Sequence, residues 1–88
     1  MKLRATVARN LRRFRNQREL TQEELAARAG FYRNYVGMLE REENSPTVDT
    51  LEKLAAVLGV SPKLFFEDVE HSLVDRNAET REDQGATD

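Results

Sequence analysis

The stretch "YRNYVGMLER", residues 32 to 41, holds side chains whose donors match the edges of base pairs. An arginine can donate two parallel bonds to the O6 and N7 atoms of guanine, and an asparagine pairs in the same bidentate way with adenine. Arg33 and Asn34 supply these two groups, and Met38 can touch a thymine methyl. Gly37 has no side chain and would let its element lie close to the bases. A glycine inside a helix costs about 1 kcal/mol relative to alanine, so Gly37 reads as present for something other than helix formation. The plainer alternative is that Arg33, Asn34, Gly37 and Met38 only face solvent.

Phosphate oxygens need a different set of donors. Gln22 offers a side-chain amide at the start of a helix, and the amino end of a helix itself attracts anions. Arg12, Arg13, Arg18 and Arg28 are reserve cations, and Tyr32, Tyr35 and Arg41 add further donors. Tyr32 stands where a capping Ser or Thr would be expected. Either the cap is weak, or the ring meets the sugar–phosphate backbone or a protein partner. Glu40 is the misfit, because a carboxylate facing phosphates is repelled. It is accommodated if it turns inward to Arg15, one position after the apolar Phe14. Such a pair is weak evidence for net stability, but losing one member leaves the other charge behind.

Catalytic chemistry has little to work with. His71 is the only histidine, beside Glu70 near the end of the last expected helix, and reads as a surface residue. Ser45, Ser61 and Ser72 have loop, cap and helix-end explanations. There is no cysteine, no His/Asp/Glu cluster with metal-ligand spacing and no glycine-rich loop for a nucleotide. No enzyme activity, cofactor or metal is expected.

The elements that position the base-reading residues follow from apolar spacing. Leu3, Val7, Leu11 and Phe14 recur at helical intervals and predict a first helix ending near Glu19. Thr21-Gln22-Glu23-Glu24 is a capping box, in which the threonine hydroxyl accepts from the Glu24 amide and the Glu24 carboxylate reaches back. It opens a second helix, about 22 to 29, with Leu25, Ala26 and Ala29 inward. Gly30 can take the positive φ that ends a helix without steric cost. A third helix is expected from about 33 to 41, with Val36 and Leu39 inward. Two helices joined by so short a turn make a helix-turn-helix. Thr47 caps a fourth helix carrying Val48, Leu51, Leu54, Ala55 and Leu58, which Gly59 ends. Ser61-Pro62 starts a fifth, with serine as cap and Leu64, Phe65, Val69 and Leu73 on its apolar side.

Five short helices, each too small to be stable alone, must share one core, so the expected fold is a compact all-α domain. With 88 residues there is room for one domain, assigned to residues 1–73, and "DRNAETREDQGATD" after Val74 has the composition of a disordered tail, residues 74–88. The net charge of −2 hides an asymmetry: residues 1 to 41 hold ten Lys/Arg and four Asp/Glu, the remainder four and twelve. A basic half beside an acidic one fits a nucleic-acid face with the acidic half turned away. No apolar run approaches the roughly 20 residues of a membrane span, and no secretory signal is legible. A cytoplasmic protein is the default expectation.

The strings "LTQEELAARAG", "YRNYVGMLERE" and "SPTVDTLEKLAAVLGVS" together closely resemble the Cro/phage-repressor-like helix-turn-helix family, also called the XRE family, over roughly residues 7 to 66. Arg15, Leu20-Thr21-Gln22, Leu25-Ala26, Gly30, Val36, Leu39-Glu40-Arg41, Pro46 and Leu51 through Gly59 fall in register. The segment from Gly30 to Glu42 is similar to the restriction–modification controller proteins, small dimeric regulators with an R-x-Y motif followed by a small residue. The resemblance implies a lambda-repressor-like five-helix domain, phosphate binding at Gln22, an Arg15–Glu40 bridge, and base reading around Arg33, Asn34, Gly37 and Met38. Two departures stand out. Glu42 replaces a usual glycine, so a different turn is expected there, and Tyr32 replaces a small or His-type residue.

One such helix reads only a few base pairs, so specificity calls for two, about 34 Å apart. A two-fold homodimer on a palindromic operator supplies them. Phe66, Val69 and Leu73 are the expected interface, with the loop from Asn44 to Thr47 nearby; alternatively they only close the monomer's core. The expected function is a sequence-specific transcriptional regulator of the repressor or autoregulatory controller type, with double-stranded DNA, its own copy and RNA polymerase as candidate partners. The competing reading is an antitoxin-like module that neutralises a partner protein.

Overall fold

The computed structural model describes residues 3–68. Four α-helices follow one another: α1 Leu3–Gln17, α2 Gln22–Ala29, α3 Tyr35–Glu40 and α4 Val48–Leu58. A five-residue 3-10 helix, Pro62–Phe66, closes the described chain, and no strand occurs among the described residues. The architecture is the expected all-α one. Leu11, Leu25, Val36, Leu54, Leu58 and Phe65 are fully enclosed, one or two from each element. The Phe14 and Phe65 rings meet in a tilted contact with centroids 5.8 Å apart, tying α1 to the chain's last described turn. α2 packs against both α3 and α4, while α1 covers α3 and the 3-10 helix.

Two helix starts, those of α2 and α4, show their local chemistry. Thr21 accepts from the Glu24 amide at 3.0 Å and the Glu24 carboxylate accepts from the Thr21 amide at 2.8 Å, the reciprocal capping box. The Thr47 hydroxyl accepts from the Thr50 amide at 3.0 Å at the head of α4. Ser61 does otherwise. Proline follows it, but its side chain makes no capping bond.

Over residues 62–66 the expected fifth α-helix is instead a 3-10 turn. Asn10 of α1 is fully buried, and its Nδ2 donates to the carbonyls of Phe65 at 2.7 Å, Glu67 at 2.8 Å and Leu64 at 3.3 Å. These carbonyls would serve a continuing α-helix; drawn sideways onto one amide, they leave a tight 3-10 turn. Val69 and Leu73, the proposed tail 74–88 and His71 lie outside the described residues.

The helix ends share one device. After α1 and α3 the chain turns through Glu19 at φ 57° and Glu42 at φ 62°, and after α2 and α4 through Gly30 at φ 83° and Gly59 at φ 72°. The Glu43 amide donates to Met38 at 2.9 Å and the Glu42 amide to Leu39 at 3.1 Å, which satisfies the last carbonyls of α3. Glu42 therefore takes a left-handed conformation that favours glycine. A side chain at positive φ costs roughly 1–2 kcal/mol, partly offset because glycine loses more chain entropy on folding. Glu42→Gly is expected to raise stability by about 0.5–1 kcal/mol, read as a higher urea midpoint at unchanged slope.

Candidate nucleic-acid interface

α3 is short, and its apolar side is fixed by Val36 and Leu39, exposed by 0% and 2%. At 100° per residue, Asn34, Met38 and Arg41 then fall on the opposite stripe. The helix starts at Tyr35 rather than Arg33, because nothing caps it: the Asn34 side chain makes no capping bond, and the Tyr35 amide closes back on Tyr32 at 3.1 Å. Arg33 and Asn34 thus stand on the turn leading into α3, both exposed, and Met38 is half-buried beside them.

Gly37 departs from its expected outward position. It is buried, and a Cβ built on it would meet Arg41 Nη1 and Gln22 Oε1, each at 3.0 Å. The missing side chain leaves room for the ends of the Gln22 and Arg41 side chains. Gln22 is likewise occupied, since its Nε2 donates to Glu40 Oε1 at 2.9 Å.

Glu40 is the hub of this side of the molecule. Its side chain has no exposed surface. Arg15 Nε donates to Oε2 at 2.6 Å and Arg15 Nη2 to Oε1 at 3.0 Å, a two-pronged grip, and Arg12 Nε reaches Oε1 at 3.3 Å. Arg15 Nη1 also donates to the Leu20 carbonyl at 2.8 Å, so one guanidinium joins α1, the turn before α2 and α3. Burial opposes the charged form of Glu40, but the donors of Arg15, Gln22 and Arg12 together outweigh it and hold the carboxyl below its ordinary value. A buried carboxylate satisfied in this way removes one negative charge from the exposed face of α3.

The other expected phosphate contacts separate. Arg28 is exposed. Arg13 is half-buried, its guanidinium 5.2 Å from the Phe14 ring centre. Arg18 lies against the end of α4, where a Cβ on Gly59 would meet its Nη2 at 2.9 Å. There it faces the negative end of a helix dipole. Tyr35 is anchored inward: its ring lies 4.8 Å from that of Phe31 and its hydroxyl stands 3.4 Å from Thr50 Oγ1. Tyr32 remains 58% exposed. Arg41 is paired with Glu43 through Nε at 2.9 Å and Nη2 at 3.3 Å, which raises its pKa and lowers that of Glu43.

Glu43 therefore holds the last cation of the α3 stripe. Glu43→Gln is expected to tighten duplex binding severalfold at low salt and to steepen the salt dependence by about one counterion. Electrophoretic shift titrations across a salt series check both, and the gain should vanish in Arg41→Ala.

On another side, Phe66 borders an apolar groove with Leu3, Val7, Pro46, Val48 and Leu51. Leu3, Val48 and Phe66 are 47%, 74% and 46% exposed. The structure thus brings Phe66 to the loop before α4. Sequence reasoning passed over Asn10, Glu43 and Thr50. Asn10 could have been found, because it sits three residues after Val7 in the buried phase of α1. Glu43 and Thr50 gave no local signal, their partners being set by how α3 and α4 pack.

A profile of helix-turn-helix domains matches residues 11–65. The chain belongs to this helix-turn-helix family, HTH_3. It is similar to y4dJ, an uncharacterized HTH-type transcriptional regulator of Sinorhizobium fredii, at 49% identity over 61 residues, covering 69% of this chain and 79% of the other. It is 43% identical over 66 residues to the control protein C.SmaI of Serratia marcescens, covering 74% of this chain and 79% of that protein. The crystal structure of the restriction-modification controller protein C.AhdI from Aeromonas hydrophila aligns with a TM-score of 0.69 at 33% identity, over 72% of this chain and 96% of that one. As a member of this helix-turn-helix family the protein is a DNA-binding transcriptional regulator and not an enzyme. No helix among the described residues is long and apolar enough to cross a membrane.

Proposed function

We propose that the chain acts as a cytoplasmic homodimer that places α3 of each copy in successive major grooves of a palindromic operator. The observation carrying this reading is the exposed stripe itself. Arg33 and Asn34 project from the turn into α3 and Met38 flanks them, while the one carboxylate of α3, Glu40, is buried on Arg15. Arg33 takes guanine and Asn34 adenine. Arg12, Arg28 and, once freed from Glu43, Arg41 meet phosphates on either side, together with the amino end of α2. Gln22 acts mainly by bracing Glu40, and Arg13, Arg18 and Tyr35 by bracing the domain. Self-association through the groove around Phe66 would hide apolar surface that a monomer leaves in water. Likeness to control proteins supports an autoregulatory role, in which the dimer occupies its own promoter and excludes or recruits RNA polymerase according to where the operator lies.

Selection of bound duplexes from a random pool tests the reading. A consensus with two inverted half-sites about one helical turn apart is expected, bound more weakly as salt rises. A pool that yields no consensus at any salt rejects it.

A further inference from the structure

Tyr32 is the exposed aromatic that the apolar groove does not account for. Leu3, Val48 and Phe66 border that groove, whereas Tyr32, 58% exposed, sits on the turn into α3 next to Arg33. It is nonetheless held in place. Its ring stacks in tilted fashion on Tyr35, centroids 5.3 Å apart, and its hydroxyl donates to Met38 Sδ at 3.5 Å. Tyr35 is in turn fastened to the core by Phe31 and Thr50.

Two consequences follow. The Tyr32 hydroxyl is directed at a thioether, so the ring and Met38 lie side by side as an apolar contact surface. Met38, a side chain with three rotatable bonds, accepts that bond at its sulfur, which favours one placement of its flexible chain beside the ring. Ring and thioether together form one fixed apolar surface on the outer side of α3, beside two residues whose donors suit base edges. In the major groove the apolar feature of a base pair is the methyl on C5 of a pyrimidine.

Resting on the operator-binding reading above, we propose that Tyr32 and Met38 form a single preorganised reader of a pyrimidine C5-methyl group. Tyr32 is then a specificity-determining residue, and the pair responds to the methyl and not to the pairing edge. Thymine and 5-methylcytosine satisfy it; uracil and cytosine do not.

The test uses the operator recovered from the random pool, with thymines replaced one at a time by uracil. That change removes the methyl and leaves every hydrogen-bonding group in place. At one position per half-site, affinity is expected to fall by about fourfold, the worth of one buried methyl-sized group. At that position, a 5-methylcytosine pair should bind more tightly than a cytosine pair by a similar factor. Tyr32→Ala and Met38→Ala should each bind the thymine and uracil duplexes alike, with circular dichroism confirming that both variants fold. The inference is overturned if no thymine is sensitive to uracil, if the sensitivity survives in both variants, or if Tyr32→Ala weakens both duplexes by one common factor, which marks a phosphate contact. Each of these outcomes leaves specific operator binding intact. Absence of any selected operator instead rejects the operator-binding reading itself, and the methyl reader with it.

Discussion

Arg15→Ala is expected to destabilise the domain by about 3 kcal/mol at neutral pH, the low end of the cost of breaking a buried ion pair, because Arg12 and Gln22 still donate to Glu40. Arg15 supplies two of the bonds to Glu40 and a third to the Leu20 carbonyl, and the Glu40 side chain has no water to turn to. For a domain of this size such a loss is a large part of the total stability, and urea unfolding would show a strongly lowered midpoint. The sign with pH separates a lost ion pair from lost packing. In the wild-type protein the Glu40 carboxyl is held below 4.5. Its contribution is therefore fully present above about pH 4.5 and is lost as pH falls through the lower, folded value. In Arg15→Ala the stranded carboxylate gains by taking a proton, so the gap between wild type and variant should narrow as pH is lowered from 7 towards 5. Adding Glu40→Gln to Arg15→Ala should recover part of the loss at pH 7, because a neutral amide is cheaper to bury than a charge that has lost its main partner. A gap that stays constant with pH, together with no recovery in the double variant, would assign the effect to the arginine's aliphatic stem.

The second large effect falls on recognition and leaves the fold alone. Arg33→Ala should weaken operator binding by about 1–3 kcal/mol, roughly 5- to 150-fold, and relax the preference at one base pair per half-site. Arg33 is exposed and precedes the first turn of α3, so thermal unfolding should hardly change. Repeating the duplex selection with the variant supplies the decisive comparison, since loss of a base contact removes guanine preference at one column of the consensus. Loss of a phosphate contact would lower all affinities together and leave every column as it was. Arg28→Ala, on an exposed residue of α2, is the matched control for that second pattern.

These two residues also show where sequence reasoning succeeds. The pairing of Arg15 with Glu40 was approachable because a carboxylate on a DNA-facing helix poses an electrostatic problem with few solutions. For Arg33, residue type and distance from Gly30 indicate an outward position at the entry to α3, and the residue is exposed there. Gly37, by contrast, was misplaced. Its angular position lies at the margin of the outer stripe, and at such a margin the neighbours decide which side is covered. Here Gln22 and Arg41 cover it. The Tyr35 hydroxyl, expected among the phosphate donors, stands 3.4 Å from Thr50 Oγ1, fifteen positions along the chain.

Local chemistry settled α2, α4, their caps and the turn at Gly30, because those signals act between residues three or four apart and need no knowledge of the rest of the chain. The family likeness rests on the same short-range strings. Packing settled what depends on competition between distant groups. Asn10 takes the carbonyls of Leu64, Phe65 and Glu67, Glu40 takes the Gln22 amide, and Met38 takes the Tyr32 hydroxyl. Each donor had several acceptors within its chemical reach, and only the crossing of the helices brought one of them within bonding distance.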